Sequence, residues 1–358
     1  MSRISILGLG VSGSFLAYLL ARRGFRVEGY DLSRRYLKPC GNAVSVKELT
    51  ARVVKATESE LAQAKRFSVK VEGEEIAYLD LRPSPWVMVD KGRLVGSLRE
   101  MAEAEGALLR YGKHGLSSAT VDARGPFAGG GGRQINAIVI MARTRWEPGE
   151  VSLDLTVSRR GTFWIFPQDE DGRVVNVGVG FDRYVEPRVL RQVALRYFKR
   201  MLGRFEELRV GVAPILIWSP LRLSNGPFLV GEAAGFVGRL NGEGNRMALY
   251  SAAALAEALA SGYPNQEKVL KAYRERTARL ANEVRTSMLL LELVGRLSTP
   301  VAREVLRGAP KELWESWFRT ELTLGRLLSL LPTALSASGR GRGLSRALRS
   351  SPSCTSCS

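Results

Sequence analysis

Apolar positions along the chain change their period several times, and each change marks an element. Residues 4–7 form a β-type run ending in glycine, after which Phe15, Leu16, Leu19 and Leu20 recur at helical spacing within 14–23. Gly24 stops that helix and 25–31 reads as a second β-type run, so 3–31 is one strand, tight turn, helix and strand. Residues 44–64 are mixed polar and helical. Residues 67–81 alternate and predict a hairpin turning at 72–74, and 92–106 is an amphipathic helix ending at Gly106.

A short strand around Val121 then runs into a glycine-rich loop at 129–132, expected to carry no chemistry. Residues 135–181 read as several antiparallel strands, with a hairpin turn at 169–172. A helix over about 187–205 follows, then a strand pair across Ser224-Asn225-Gly226 that ends in Phe-Leu-Val-Gly-Glu-Ala-Ala-Gly. From Arg246 the chain is mostly helical to about Leu331, with an apolar face at Met288, Leu289, Leu291 and Val294 suited either to capping an apolar tunnel or to core packing. The last stretch, 336–358, has four Arg and no acid among Ser and Gly, and is expected to be a disordered basic tail.

The parallel strand–helix–strand start returns only after the antiparallel block, so the first domain is interrupted by the second. The fold class is α/β, a Rossmann-like domain (1–43, 86–128 and 210–262) interrupted by an antiparallel β-sheet domain (44–85 and 129–209). A helical C-terminal region covers 263–335.

With 358 residues, 45% apolar and 25% charged, the chain is long enough to bury a core and enclose a ligand, and whole-chain disorder is excluded. The net charge of +18, with 42 Arg against 11 Lys, suits a polyanion, anionic lipid or acidic cofactor without choosing among them. There is no zinc-finger spacing and no aromatic-basic RNA-binding pattern, so nucleic acid is not an expected partner. Cys354 and Cys357 sit in the Ser-rich tail, and His114, the single histidine, lies in a polar stretch. That leaves no ligand set for a metal and no Ser-His or Cys-His hydrolase. The charged-then-apolar start has the look of a signal peptide, but its glycine spacing reads as a nucleotide turn. No other run approaches a bilayer-spanning length, so a cytoplasmic protein is expected.

Gly8, Gly10 and Gly13 form GxGxxG between strand and helix. The first glycine makes the tight turn, the second lets the backbone approach a diphosphate, the third lets helix and strand pack, and Ser12 lies at the helix start. The helix N-terminus offers unpaired N–H groups, and Asp31 ends the second strand where a carboxylate can take ribose hydroxyls. Together they point to dinucleotide binding, against a ligand-free glycine turn.

About 220 residues downstream, Gly231, Glu232, Ala233, Ala234 and Gly235, followed by Gly242, Glu243 and Gly244, resemble the second flavin-contacting motif of FAD-dependent oxidoreductases of the para-hydroxybenzoate hydroxylase type. Glu232 stands where Asp is usual. Further stretches resemble the geranylgeranyl reductase family, archaeal enzymes that saturate isoprenoid lipids among them. Lys38-Pro39-Cys40-Gly41 looks like its Lys-Pro-Cys-Gly segment, and Lys91 opens its strand-to-helix segment where Arg is usual. Asp122 and Gly125 match its Asp-Ala-x-Gly turn. Trp164, Phe166 and Pro167 match its Trp-x-Phe-Pro strand, with Thr162 in place of the usual Tyr. The similarity spans about residues 3–260.

This resemblance implies an FAD-binding domain interrupted by a substrate domain. It implies FAD held by these glycine turns with Ser12, Asp31, Cys40, Gly41, Lys91, Asp122, Gly125, Glu232 and Ala233. The implied reaction is reduction of isoprenoid C=C bonds by hydride from flavin N5, with Trp164, Phe166 and Pro167 lining an apolar substrate site. Cys40, which that family lays against the isoalloxazine, or an ordered water would supply the proton. By pattern alone Trp164, Phe163 and Phe166 read more often as core than as cavity lining, Cys40 equally as a small buried residue, and Lys91, Arg93 and Arg99 more often as a solvated helix face than as a cofactor clamp. The implied partners are an isoprenoid or isoprenoid lipid, an external electron donor (NADPH or ferredoxin, left open) and peripheral contact with anionic membrane. Two other readings stay open: a flavin monooxygenase or dehydrogenase on a small apolar substrate, and a catalytically degenerate FAD- or lipid-binding homologue.

Overall fold

The computed structural model describes residues 2–112, 119–128, 134–158, 160–216, 221–224, 226–239 and 241–329. His114, the 129–132 loop, Asn225 and the tail with Cys354 and Cys357 lie outside the described residues, as does the Val294 side chain.

β1 (Arg3–Leu7), α1 (Val11–Ala21) and β2 (Arg26–Asp31) form the predicted unit, with β1 and β2 parallel and Arg3 level with Arg26. Next come β3 (Ala43–Ser45), α2 (Glu48–Ala56), β4 (Glu60–Ala64), β5 (Arg66–Val71), β6 (Glu74–Asp80), β7 (Trp86–Val89), α3 (Lys91–Ala104), β8 (Leu108–Tyr111) and β9 (Val121–Asp122). The central block is β10 (Ile135–Arg143), β11 (Glu150–Thr156), β12 (Gly161–Pro167), β13 (Val174–Phe181), α4 (Pro187–Leu202) and β14 (Glu206–Ile215). The chain closes with β15 (Phe228–Leu229), α5 (Asn245–Gly262), α6 (Gln266–Arg296), α7 (Thr299–Arg307), α8 (Lys311–Phe318) and α9 (Leu324–Leu328).

The five-stranded sheet has the order β15-β9-β1-β2-β8, and its pairings are parallel. From β1 the chain winds outward through β2 and β8, then returns to β9 on the other side of β1. The carboxyl end of β1 is therefore a switch point, where open α/β sheets leave a crevice. The seven-stranded sheet runs β14-β10-β13-β12-β11-β5-β6, antiparallel except for a parallel β5–β11 pairing that sets Ser68 opposite Ser152.

Two features depart from the sequence expectation. The strands flanking Ser224-Asn225-Gly226 do not pair with one another. β14 is the edge of the seven-stranded sheet beside β10, whereas β15 is the edge of the parallel sheet beside β9. A turn signal marks a reversal of the chain without naming a partner for the strand that follows. Residues 44–64, read as mixed polar and helical, hold strands on both sides of α2, and these pair with β7 as a small third sheet, β3-β7-β4. β7 is buried on both faces. Val87 and Val89 join the core around α1 and α5, while Trp86 and Met88 join a second core with Phe67, Leu153 and Phe166.

α4 covers one face of the seven-stranded sheet, burying Leu190, Tyr197 and Phe198 against Phe163, whose ring lies 3.9 Å from that of Tyr197. By the two-residue period of a strand, Trp164 and Phe166 point the opposite way. α8 closes the second core, where Phe318 packs 4.3 Å from Phe67 and its carbonyl accepts from Trp86 Nε1 at 2.7 Å. No helix among the described residues is long and apolar enough to cross a membrane.

Candidate functional site

The turn after β1 is built from backbone. Gly8 has φ +87°, and a Cβ there would stand 2.7 Å from the Ala123 backbone, while a Cβ on Gly13 would stand 1.9 Å from the Gly8 carbonyl oxygen. Gly10 differs. A Cβ there would meet only the Tyr36 ring, at 3.9 Å, and the residue faces a cavity. Gly10 is the N-cap of α1 and offers no side-chain acceptor, so the first-turn N–H groups and the positive helix end are left for another anion. By contrast, α3 is capped by Asp90, which accepts from Arg93 N at 3.0 Å.

Asp31 ends β2 at the cavity wall. Its Oδ2 accepts from Leu9 N at 2.7 Å and from Arg99 Nη2 at 3.3 Å. Arg99 is buried, which corrects the expectation of a solvated helix face. It donates to the carbonyls of Leu9, Ser33 and Arg34 as well as to Asp31, stapling the nucleotide turn to the loop after β2. The signal was present in sequence, because Arg99 continues the apolar stripe of Val95, Leu98 and Ala102. Arg93 is exposed and pairs with Glu58.

The second glycine turn abuts the first. Gly231 has φ +63°, and a Cβ on it would stand 2.7 Å from Ser12 Oγ at the start of α1. Both oxygens of the Glu232 carboxylate are held, one by Lys38 Nζ at 2.6 Å and the other by Leu216 N at 3.0 Å. Beside it the buried Arg239 donates to the carbonyls of Leu216 and Gly235, and burial pushes its guanidinium down to about 10 despite the Glu232 charge. Gly244 is the N-cap of α5, again without a side-chain acceptor. Glu243 is buried, and burial raises its carboxyl although Arg246 opposes the shift. Arg246 donates to Glu243 and, at 2.6 Å, to Glu283.

Residues 38–42 form a strap between the two large sheets. Lys38 reaches Glu232, Pro39 lies on Gly211, the Cys40 carbonyl accepts from Asn176 Nδ2 at 2.8 Å, and Asn42 Nδ2 donates to Gln168 at 2.9 Å. Gly41 leaves room for Phe166, whose ring is 2.9 Å from where a Cβ would sit. Cys40 Sγ accepts from Asn42 N at 3.4 Å and from Asn245 Nδ2 at 3.8 Å. Burial pushes the thiol up, but the Lys91 ammonium, the Asn42 N–H, the Asn245 amide and Lys38 outweigh it and hold the thiol below its ordinary value. Lys91 is raised, because the charges of Cys40 and Tyr36 override its burial.

One cavity of about 1380 Å³ joins these parts. Gly8, Gly10, Ser12 and Asp31 line it, together with Lys91, over the Tyr36 ring, and Gly125, beside Glu232. Cys40, Gly41, Glu232, Gly242 and Gly244 lie along it, and Trp164 and Phe166 form an aromatic wall with Thr162 beside them. The C-terminal helices also line it, mostly with apolar residues such as Leu289, Leu291, Leu306, Leu313, Trp314 and Trp317, together with Glu292 and Arg296. Trp164 is held by Nε1 donating to Asn176 Oδ1 at 3.0 Å. Gly13, Asp122, Gly231, Ala233, Gly235 and Pro167 are not among the lining residues. Asp122 pairs with Arg124, which does line the cavity. Lys38 was named only within the Lys-Pro-Cys-Gly match, and neither it nor Asn176 nor Asn245 was given a role from sequence, since long-range partners leave no local pattern.

The cradle fits a dinucleotide. Two helix N-termini without side-chain caps open onto one space, and a ligand can approach the backbone at Gly10 where no side chain stands. Among ligand pockets of roughly 300–1,000 Å³ this one is large, so a dinucleotide leaves room for a second apolar molecule.

No family model and no curated protein sequence matches the chain. Solved structures do resemble it. A geranylgeranyl bacteriochlorophyll reductase-like protein from Thermoplasma acidophilum superposes with a TM-score of 0.77 at 16% identity, over 95% of this chain and 99% of that one. CtdE, solved in complex with FAD and a substrate, gives 0.64 at 13% identity over 95% and 100%. PqsL of P. aeruginosa in complex with 2-aminobenzoylacetate gives 0.62 at 18% identity over 82% and 97%. At these identities the likeness shows the fold, an α/β fold with a Rossmann-like parallel sheet that reductase-like and monooxygenase-type FAD proteins share.

Proposed function

We propose that the chain is an FAD-dependent oxidoreductase of the geranylgeranyl reductase type, reducing C=C bonds of a long isoprenoid, free as a diphosphate or joined to a glycerophospholipid. The observation that carries this reading is the single cavity running from the capless start of α1, past Cys40 and the Trp164–Phe166 wall, into the apolar space under α6–α8. A small aromatic substrate would not need that last stretch. A chain of repeated isoprene units would fill it, each buried methylene contributing about 0.8 kcal/mol.

In this scheme Gly8, Gly10, Ser12 and Asp31, with the α1 N-terminus, hold the nucleotide half of FAD. Cys40, Gly41, Lys91, Gly125, Glu232, Gly242 and Gly244 border its flavin half. Gly13, Asp122, Gly231, Ala233 and Gly235 act from behind by packing or pairing. Reduced FAD supplies the hydride; the chain's own residues align the alkene and exclude water. An isolated alkene is poorly electrophilic, so alignment in a dry cavity matters more than acid strength. Trp164 and Phe166 flank the reacting bond, and Cys40 Sγ is the group of this chain placed to handle the proton. Electrons come from an external donor, NADPH or ferredoxin. A basic, cytoplasmic protein that takes amphiphilic phosphate-bearing substrates would meet them at the anionic membrane face.

The test is the visible absorption of the purified protein, followed by anaerobic turnover of a geranylgeranyl lipid with a chemical reductant and mass analysis of the product. A yellow protein yielding a product heavier by hydrogen supports the proposal. NADPH-driven oxygen uptake stimulated by a small apolar substrate would favour the monooxygenase reading instead, and a colourless protein that takes up no FAD would favour the degenerate one.

A further inference from the structure

The register of β12 and β13 sets Asn176 opposite Phe166 and Gly178 opposite Trp164, so all four share the face that carries the aromatic wall. Asn176 is only 1% exposed, and a buried amide costs stability unless it is hydrogen-bonded. Both of its ends are used, in opposite senses. Nδ2 donates to the Cys40 carbonyl at 2.8 Å, and Oδ1 accepts from Trp164 Nε1 at 3.0 Å. Turned over, the amide would set an oxygen against that carbonyl and an N–H against the indole N–H, so the two bonds fix one orientation. The indole has little other freedom: a Cβ on Gly178 would stand 2.1 Å from Trp164 Cζ2, and a Cβ on Gly41 of the strap 3.6 Å from Trp164 Nε1. Asn42 ties the strap to the same sheet a second time, donating to Gln168 just past β12 at 2.9 Å.

We propose that Asn176 is a positioning residue of the proposed reaction, a single amide that clamps the strap and the Trp164 indole in one register. Asn176 does not itself line the cavity. It acts through Cys40 and Trp164, which do. On the reductase reading the strap borders the flavin half of the cofactor and Trp164 flanks the alkene, so the clamp sets one side of the reacting pair against the other. Alignment is what an unactivated alkene needs most, and a displacement of about 1 Å can cost about 10²-fold in rate. Asn176→Leu keeps a branched side chain of similar shape but leaves the Cys40 carbonyl and the indole N–H without their partner, and nothing then holds the wall to the strap at that point. The role in the reaction rests on the reductase reading; the clamp does not.

The first measurement uses the unmodified chain, labelled with nitrogen-15 at tryptophan and without added flavin. The Trp164 indole N–H resonance, identified by its loss in Trp164→Phe, should exchange with solvent more slowly than that of free tryptophan and lose this protection in Asn176→Leu. An indole that exchanges as fast as free tryptophan, or one that Asn176→Leu leaves protected, overturns the clamp. In anaerobic turnover Asn176→Leu should lower kcat by about 10²-fold with KM and FAD affinity unchanged, the mark of lost alignment. Wild-type kcat in that variant, or a loss of FAD affinity in step with kcat as general disruption would give, overturns the positioning role. Asn176→Ala loses the same two bonds without the bulk of leucine and carries both measurements where Asn176→Leu does not fold. A protein that reduces no alkene sinks the reductase reading, and the role in the reaction with it, while the exchange data still decide the clamp, so the two failures are distinguishable.

Discussion

Gly10 and Gly13 belong to one motif but answer to different demands, and their alanine variants should separate. At Gly10 the backbone has φ −73° and ψ −160°, which alanine adopts freely, and an added methyl meets only Tyr36 at 3.9 Å. Folding should lose no more than about 1 kcal/mol, the cost of replacing a favourable N-cap by alanine. The methyl nevertheless enters the space through which a phosphate would reach the N–H groups of α1. Displacing two hydrogen bonds to a charged oxygen, about 1.5–3 kcal/mol each, amounts to about 3–6 kcal/mol. That weakens FAD binding by about 10²-fold or more. Gly13→Ala instead drives a methyl to 1.9 Å from the Gly8 carbonyl oxygen, so α1 must lift off β1. Overpacking of this kind costs about 1–3 kcal/mol. Calorimetry of the flavin-free proteins measures the stabilities, and quenching of flavin fluorescence measures affinity. If Gly10→Ala binds FAD as tightly as the unmodified chain, the α1 turn is not the phosphate site and the assignment built on it fails.

Arg99→Met should destabilise by about 3–5 kcal/mol in urea unfolding, because Asp31 and three loop carbonyls lose a buried guanidinium; Arg99→Lys should recover only part. Glu243 binds its proton more tightly folded than unfolded, so its contribution is full below the unfolded value near 4.5 and is lost as pH rises through the raised folded value. Glu243→Gln should flatten that part of the stability–pH curve followed by thermal melting, and an unchanged slope would remove Glu243 as its source. Leu291→Asp places a charge in the apolar end of the cavity. If that charge excludes four methylenes of the tail, about 3 kcal/mol, KM for a C20 isoprenoid should rise about 10²-fold with FAD affinity unchanged. Equal KM values would show that the tail lies elsewhere.

Legibility in the sequence followed the range of each interaction. The strand–helix–strand start is local, its glycines and period standing within thirty residues, and it is found where the pattern puts it. β3 and β4 escaped notice because each is at most five residues long and completed by β7, so no alternation develops. The partner of β14 was misread because Ser224-Asn225-Gly226 signals a reversal and nothing more. Trp164 was ambiguous for a related reason. Alternation separates it from Phe163, but only tertiary structure shows which face α4 covers and which is left to the cavity. The apolar face of α6 had two readings until the cavity was seen to reach Leu289, Leu291 and Leu293.

The departures from the resembled family bear on whether the site is decaying. Neutral loss would leave a longer carboxylate or a substituted cation without a partner, since nothing selects a compensating contact. Glu232 is instead held at both oxygens, its extra reach taking it to Lys38, 194 positions away. Lys91, in place of an arginine, lies over the Tyr36 ring, and its charge lowers the Cys40 thiol. Both substitutions therefore converge on the same five-residue strap, which is also tied to the aromatic wall through Asn176. Thr162, smaller than the tyrosine usual there, lines the cavity. On the proposed reading, two substitutions that each found a partner describe a site retuned around the strap. On that argument Lys38→Met should free Glu232, loosen the strap and cost turnover, whereas a degenerate protein would have no turnover to lose.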